Sequence, residues 1–408
     1  MSCRHCSSEL KLELINLGTS PPSNAYLTSE MLARPEKYFP LRIMVCENCW
    51  LVQTLDFAQA DELFSSEYAY FSSYSTTWLR HAEAYVDEMT NRFGLDRNSL
   101  VVEVASNDGY LLQYVKARGI HCLGIEPTAS TARAAREKGI EVLEEFFGAE
   151  LGSRLAADGR QADLTAANNV LAHVPDINDF VAGFANILKP NGIATFEFPH
   201  LLRLLAETQF DTIYHEHFSY LSLTTAARIF EANGLAIFDV EEIPTHGGSL
   251  RVFAQRAASG RHPQSDRVKA LMAKERKAGL TTASAYEGFQ VRAEKIKDDF
   301  VSFLIDAKRR GRRVVGYGGA AKGNTLLNFA GCRHDLIAYV VDRNPAKQGK
   351  FLPGSRIAIV SESLLYDDKP DYVVVLPWNL KAEVMSQLKS AGLSSVQFVT
   401  AVPSLEIV

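Results

Sequence analysis

Two Cys-x-x-Cys pairs, Cys3-Arg4-His5-Cys6 and Cys46-Glu47-Asn48-Cys49, stand at the start of this 408-residue chain. Each pair brings two sulfurs together from one tight turn, and two such turns close a tetrahedron around a single zinc ion. A four-sulfur site leaves no position open for water, so its role is structural. It stabilises an N-terminal module, residues 1–60, that is too small to hold itself well. The gap between the knuckles exceeds the usual ~15–20 residues and predicts an inserted hairpin or loop. Leu41–Val45 is the strand leading into the second knuckle, and His5 reads as a solvated turn residue. The other two cysteines, Cys122 and Cys332, lie in apolar surroundings. In a reducing cytosol, paired Cys-x-x-Cys means metal and not disulfide.

At 47% hydrophobic residues the chain is too long for one ordinary core, so two or three domains are expected. Forty-three basic against forty-eight acidic residues give a net charge of −5, with no long basic run beyond Lys308-Arg309-Arg310 and Arg312-Arg313. A nucleic-acid footprint needs a basic face, so a zinc-ribbon nucleic-acid adaptor is the remote alternative. There is no signal-peptide pattern and no apolar run near ~18 residues, so a cytoplasmic protein without a membrane partner is expected.

Residues 61–98 read as a helical connector or lid rich in aromatics: Tyr68, Tyr70, Phe71, Tyr74, Trp78, Tyr85. Over 99–258 strands and helices alternate: strand Leu100–Val104, helix Tyr110–Arg118, strand His121–Ile125, helix Ala129–Lys138, then strands Glu141–Leu143 and Asp163–Ala167, helix Ile177–Leu188 and strand Gly192–Glu197. Lys189-Pro190-Asn191-Gly192 closes that last helix in a turn. This rhythm predicts an α/β domain with a parallel sheet, finished by antiparallel strands at Val240–Ile243 and Ser249–Phe253. Residues 259–310 form a charged helical linker with one apolar stripe, Phe289, Ile296, Phe300 and Phe303-Leu304. A second Rossmann-like α/β unit fills 311–408.

The first α/β unit opens on Glu103-Val104-Ala105-Ser106-Asn107-Asp108-Gly109. A carboxylate ends the strand, small residues leave room for a ligand to approach the backbone, and Gly109 begins the helix. A dinucleotide fingerprint is absent. Acidic groups in place of a bare ring of amides suit a cationic ligand without phosphates. Glu126, closing the second strand, is placed to accept ribose hydroxyls. Asn168 ends the fourth strand at the ligand-binding edge, and Phe146-Phe147 are candidates to flank an adenine.

Together, the two knuckles, EVASNDGYLL, GIEPT, FPHLLRLL, FDTIYHEHFSYLS, PTHGGSLRV and GYGGAAKGNT resemble the S-adenosylmethionine-dependent sugar C-methyltransferases that act on nucleotide-linked 4-keto-deoxysugars. The resemblance covers essentially the whole chain; YHEHF and GYGGAAKG are its most specific pieces. It implies a zinc module, a methyl-donor domain, and a C-terminal Rossmann-like domain that helps hold the nucleotide sugar. The implied reaction is methylation at carbon 3 through an enolate.

Tyr214-His215-Glu216-His217-Phe218 crowds titratable side chains into one segment. Read without the resemblance, His215 and His217 are a metal pair or part of a polar loop. The reaction calls for a base near neutrality, which imidazole supplies. The resemblance makes His217 that base, with Tyr214 and Glu216 orienting it or touching the sugar and His173 as a further active-site histidine. Here His215 stands where the family's segment carries an acid, which leaves it as the alternative base. The resemblance also brings Tyr68 or Tyr70 over the sugar. His246-Gly247-Gly248 is a turn permitting close backbone approach to the cavity.

In the C-terminal unit, Gly316, Gly318 and Ala321 fit a dinucleotide turn, and Asp342 ends the next strand. Alone, that predicts NAD and an oxidoreductase acting on a nucleotide sugar, the principal alternative. The same amides also suit the pyrophosphate of a nucleotide sugar. The resemblance selects that ligand, with Gly318, Lys322 and Asn324 as contacts and Asp342 as a base or ribose acceptor. A monomer is expected.

Overall fold

The β-forming residues collect into three sheets rather than one, and the computed structural model describes residues 1–57, 71–393 and 395–408 of the chain. In the N-terminal module β1 (Leu12–Ser20) pairs antiparallel with β2 (Phe39–Val45), and β2 with β3 (Val52–Thr54). The insertion between the knuckles is therefore a hairpin strand plus a loop, as its length predicts. The fourth strand of this sheet comes from far along the chain. β9 (Ser219–Tyr220) follows the YHEHF segment directly and pairs antiparallel with β3.

The central sheet holds β4 (Leu100–Val104), β5 (His121–Ile125), β6 (Glu141–Leu143), β7 (Ala162–Asn168), β8 (Leu188–Pro199), β10 (Leu235–Ile243) and β11 (Ser249–Arg256). Their order is β10-β11-β8-β7-β4-β5-β6. Only β11 is reversed: it runs antiparallel to both β8 and β10, so β10 shares the direction of the rest. The expectation of two antiparallel finishing strands is thus half met. The Lys189–Gly192 turn is not separate either. It is absorbed into β8 as a register shift against β7, where Ala162 faces Leu188 and Leu164 faces Ile193. Helices Leu112–Ala117, Ala129–Glu137, Ala149–Ala157, Ile177–Ile187 and Leu223–Ala232 flank the sheet. Chain order reverses between β4 and β7, which opens a crevice at the carboxyl ends of β4, β5 and β7.

The linker contains helices Asp266–Lys277 and Phe289–Arg309; of the predicted stripe, Phe289, Ile296, Phe300 and Leu304 are buried and Phe303 is half-buried. Beyond it, β12 (Val314–Tyr317), β13 (Val340–Val341), β14 (Ile359–Val360), β15 (Tyr372–Val375), β16 (Gln397–Thr400) and β17 (Glu406–Ile407) form a sheet ordered β14-β13-β12-β15-β16-β17. All pairs are parallel except β16 with β17. Chain order reverses at β12, giving a second crevice that turns toward the first. Trp378, just beyond β15, donates its indole N–H to Asp211 at 2.7 Å and lies against Gly247 so closely that a Cβ there would come within 2.4 Å of the ring. Among the described residues no helix is long and apolar enough to cross a membrane.

Candidate active site

The four knuckle cysteines converge as their spacing requires: their sulfurs all lie within 4.8 Å of one another. Four thiolates at this separation fit zinc, whose role would be structural. Gln53 supports the cluster, donating its amide to Cys3 Sγ at 3.2 Å while accepting from the Arg4 backbone at 2.9 Å. His5 is not a solvated turn residue. Its Nδ1–H donates to Asn178 at 2.7 Å and fastens the first knuckle to helix Ile177–Ile187.

The zinc module reaches the catalytic segment through β3. Thr54 donates its backbone N–H to Phe218 O at 3.1 Å and its hydroxyl to His217 O at 2.5 Å. Phe218 N–H in turn donates to Ala172 O at 2.7 Å, which seats the segment beside His173.

Around His217 the rings of Tyr214 and His173 stand 3.9 and 4.6 Å away, centroid to centroid. The carbonyl of Thr212 lies 2.9 Å from His217 Nδ1. A carbonyl accepts only from an N–H, so Nδ1 carries the proton and Nε2 presents its lone pair. Burial, the neighbouring His173 and the charges of Lys322 and His246 hold this imidazole well below its ordinary pKa. Desolvation also takes His173 down to about 4, although the Glu216 backbone bonds it. His215 faces the other way: its Nε2–H donates to Phe39 O at 3.3 Å, against β2. Glu216 is fully buried and accepts at Oε1 from the Asn24 backbone and amide, each at 3.2 Å. Burial raises its pKa, and Oε2 has no hydrogen-bond partner among the described residues.

At the first crevice the backbone alternates through the left-handed region: Ala105 has φ 58°, Asn107 48° and Gly109 75°. Holding non-glycine residues there costs roughly 1–3 kcal/mol each, a strain kept where a ligand must meet the amides. At Gly109 an added Cβ would strike Ile140 at 2.4 Å. Glu103 is fully buried, and burial raises its pKa well above the usual carboxylate range. Neither of its oxygens, nor either polar atom of the Asn168 amide, has a partner in hydrogen-bond geometry among the described residues. A buried carboxylate and amide left unengaged at a crevice fit a cationic ligand, as S-adenosylmethionine is. Glu126 is engaged by its own backbone, accepting from Asn107 N–H at 3.0 Å and Thr128 N–H at 2.9 Å. The two phenylalanines part company. Phe146 is 73% exposed, while Phe147 packs edge-on against Phe184 at 4.7 Å and Phe180 at 5.7 Å, so its ring is spent on the core and the pair does not clamp one ligand.

Sequence reasoning missed the cover over this crevice. Helix Thr76–Phe93 lays Trp78 between Tyr110 at 5.9 Å and His246 at 5.4 Å, with His81 stacked on it at 4.8 Å. His81 Nε2–H donates to the fully buried Glu197 at 2.8 Å, and Arg251 meets the other oxygen of that carboxylate at 2.7 Å. Burial pushes Glu197 up, but these two partners outweigh it and its pKa is lowered. The aromatic run marked the connector, but nothing in it marked which ring faces inward. His246, at φ 56°, accepts from the Asn169 amide at 3.3 Å. Tyr68 and Tyr70 lie outside the described residues.

At the second crevice the glycine turn is already engaged by the protein. Gly319 N–H donates to Asp342 at 2.8 Å, and Gly319 O accepts from the Tyr26 hydroxyl at 2.6 Å and from Lys347 at 2.9 Å. Gly318, at φ 87°, is pressed against Pro377, whose Cδ would lie 2.6 Å from an added Cβ. Asn324 spends its amide on Ser23 O at 2.6 Å. Lys322 does not sit over this turn. Its ammonium reaches out of the second crevice to Asn379 Oδ1 at 2.9 Å and His246 O at 3.4 Å, 4.6 Å above the Trp378 ring. The N-terminal module and Asp342 thus engage Gly319 of the turn, while Asn324 keeps its Oδ1 without a partner among the described residues.

Comparison with known proteins matches three family models along the chain: "Putative zinc binding domain" over 3–64, "Methyltransferase domain" over 78–240 and "C-methyltransferase C-terminal domain" over 244–403. The C-methyltransferase NovU of Streptomyces niveus is 34% identical over 406 residues, spanning 100% of this chain and 96% of NovU. Solved structures match more locally. Magnesium protoporphyrin IX methyltransferase of Synechocystis with bound SAM is 15% identical over 44% of this chain and 79% of its own, at a TM-score of 0.34. The PH0226 protein of Pyrococcus horikoshii is 14% identical over 49% and 100%, at 0.38. With its four-cysteine cluster, its methyltransferase sheet and full-length identity to NovU, the chain belongs to the S-adenosylmethionine-dependent C-methyltransferase family.

Proposed function

We propose that this enzyme methylates carbon 3 of a nucleotide-linked 4-keto-deoxysugar, with His217 as the general base. The observation that carries the reading is the tautomer of His217. Thr212 O holds the proton on Nδ1, so Nε2 presents an unprotonated lone pair on a ring beside Tyr214 and His173. A carbon acid next to a ketone needs such a base, kept neutral at physiological pH. His215, tied to Phe39 O, has no part in the chamber.

When bound, S-adenosylmethionine supplies an electrophilic methyl group on a positively charged sulfur. Glu103, Asn168, Glu126 and the strained turn at Ala105 and Asn107 are the residues that would hold it. His217 Nε2 removes the proton flanking the ketone; the C–H pair becomes the C=C bond of an enolate and the carbonyl pair moves onto oxygen. Tyr214 packs against the imidazole and holds its plane. Glu216, its pKa raised by burial and its Oε2 without a hydrogen-bond partner among the described residues, is the residue assigned to contact the sugar. Trp78 and His81 close the crevice and exclude water, which strengthens every charge interaction inside. NovU, by its name a C-methyltransferase, supports carbon as the atom methylated.

The test is incubation with S-adenosylmethionine and dTDP-4-keto-6-deoxyglucose, followed by mass spectrometry and NMR. A product heavier by one methyl-for-hydrogen exchange, with the new methyl on carbon 3, is the expected result. A methyl on carbon 5, the ketone's other neighbour, would retain the base and overturn the position. No product, alongside intact S-adenosylhomocysteine binding, would sink the sugar reading.

A further inference from the structure

Three consecutive residues, Asp211, Thr212 and Ile213, are each gripped by a different part of the site. Asp211 accepts from Trp378 at 2.7 Å, Thr212 O from His217 at 2.9 Å, and Ile213 O from the Thr325 hydroxyl at 2.7 Å. Thr325 lies on helix Ala321–Phe329, and Lys322 is three residues before it, on the same face. The bond to Ile213 therefore aims Lys322 along the segment that orients the base.

The partners that Lys322 has there are neutral: Asn379 Oδ1, His246 O and the face of Trp378. Among the described residues Asp211 is the carboxylate acting on its charge, and the Trp378 indole already occupies Asp211 Oδ2. A lysine and three histidines, His173, His217 and His246, thus lie within electrostatic reach of one another, beside one carboxylate, Asp211, whose Oδ2 is held by Trp378 and whose Oδ1 has no partner among the described residues. Lys322 is also near enough to His217 and His246 to depress both pKa values. Such an arrangement favours an anion forming in its midst.

We infer that Lys322 is a catalytic residue: its ammonium, delivered by the C-terminal domain, binds the ketone oxygen and takes up the negative charge that forms there when His217 removes the neighbouring proton. This rests on the substrate class proposed above. The step balances within the substrate and the protein. The proton goes to His217 Nε2, the C–H pair becomes C=C, the carbonyl pair goes to oxygen, and Lys322 donates a hydrogen bond to that oxygen without transferring its proton. The pyrophosphate has no claim on this lysine, because the glycine turn where a phosphate would sit is engaged by Asp342, Tyr26 and Lys347.

The test separates proton removal from methyl transfer. Full-length enzyme with S-adenosylhomocysteine is mixed with dTDP-4-keto-6-deoxyglucose in D2O, and deuterium entry next to the ketone is followed by NMR. Wild type is expected to exchange. Lys322→Met is expected to slow exchange ~10²–10³-fold, the loss typical of removing one oxyanion donor. Its affinities for S-adenosylhomocysteine and for the sugar nucleotide should stay within about threefold. Lys322→Arg keeps the charge and should recover most of the rate. It should also move the alkaline limb of the exchange profile above its wild-type position near 8, the pKa to which burial lowers Lys322; Asp211, His217 and His246 are the groups facing it. Exchange by Lys322→Met within threefold of wild type, or a loss seen only as weaker sugar-nucleotide binding, would overturn the assignment. No exchange by wild type would fail the substrate reading itself, a separate result.

Discussion

The Thr54 hydroxyl donates to the carbonyl of His217, so the residue proposed as the base hangs from the last strand of the zinc module. Cys46 and Cys49 immediately precede that strand. Zinc thereby acts on the site through β3, Thr54 and β9, without touching a reacting atom.

Thr54→Val is expected to lower kcat about fivefold while leaving S-adenosylhomocysteine affinity within twofold, since one net hydrogen bond is worth about 1 kcal/mol. Stripping the metal, or Cys49→Ser, should go further and abolish methyl transfer. Zinc content, turnover and S-adenosylhomocysteine titration on the same samples check this. Full activity in metal-free enzyme would break the proposed link.

Glu103 illustrates a conflict between stability and binding. A fully buried carboxyl group whose oxygens have no partner in hydrogen-bond geometry among the described residues, and whose pKa only the nearby Tyr110 hydroxyl pulls down against burial, is a burden to the empty protein. Glu103→Gln should therefore raise the melting temperature, by about 1–3 kcal/mol of stability, yet weaken S-adenosylhomocysteine binding at least tenfold. Paired thermal melts and calorimetric titration read both. A variant that is destabilised and binds normally would refute this account.

The pH profile has predictable signs. His217 is depressed well below 6.5, so its base form persists in acid, and kcat/KM should hold its plateau below pH 6.5. Stability tells a parallel story for His246, whose pKa desolvation lowers to about 4. Between about 4 and 6.5 the unfolded chain binds a proton there that the native one does not, so this histidine's contribution is present above 6.5 and is lost as pH falls toward 4. His246→Asn should flatten that part of the melting-temperature curve relative to wild type. Parallel curves would remove His246 as the cause.

Asp342 occupies the amide that a dinucleotide's pyrophosphate would need. Titration with NAD⁺ should accordingly give no binding heat. Micromolar binding would revive the oxidoreductase alternative.

What the sequence could reveal depended on locality. The knuckles and the βαβ alternation are short-range patterns, and the strand ends at Val104 and Ile125 fall where the periodicity placed them. The cover formed by Trp78, His81 and Glu197 joins residues far apart in the chain, and no spacing rule encodes it. Lys322 shows a subtler limit. The motif identified the helix correctly, but Thr325 and Ile213 decide which way the lysine faces, and that choice is made by docking between domains. The place of Phe147 is set in the same way, its ring packed on Phe180 and Phe184.

β9 completes a sheet whose other strands were made long before it. During synthesis β1, β2 and β3 leave the ribosome first, with the edge of β3 and buried Val52 waiting for Tyr220. A nascent chain that stalls before Ser219 therefore carries an open strand edge, ready to pair with a neighbouring chain. Metal loading alone does not finish the module; the arrival of the YHEHF segment does.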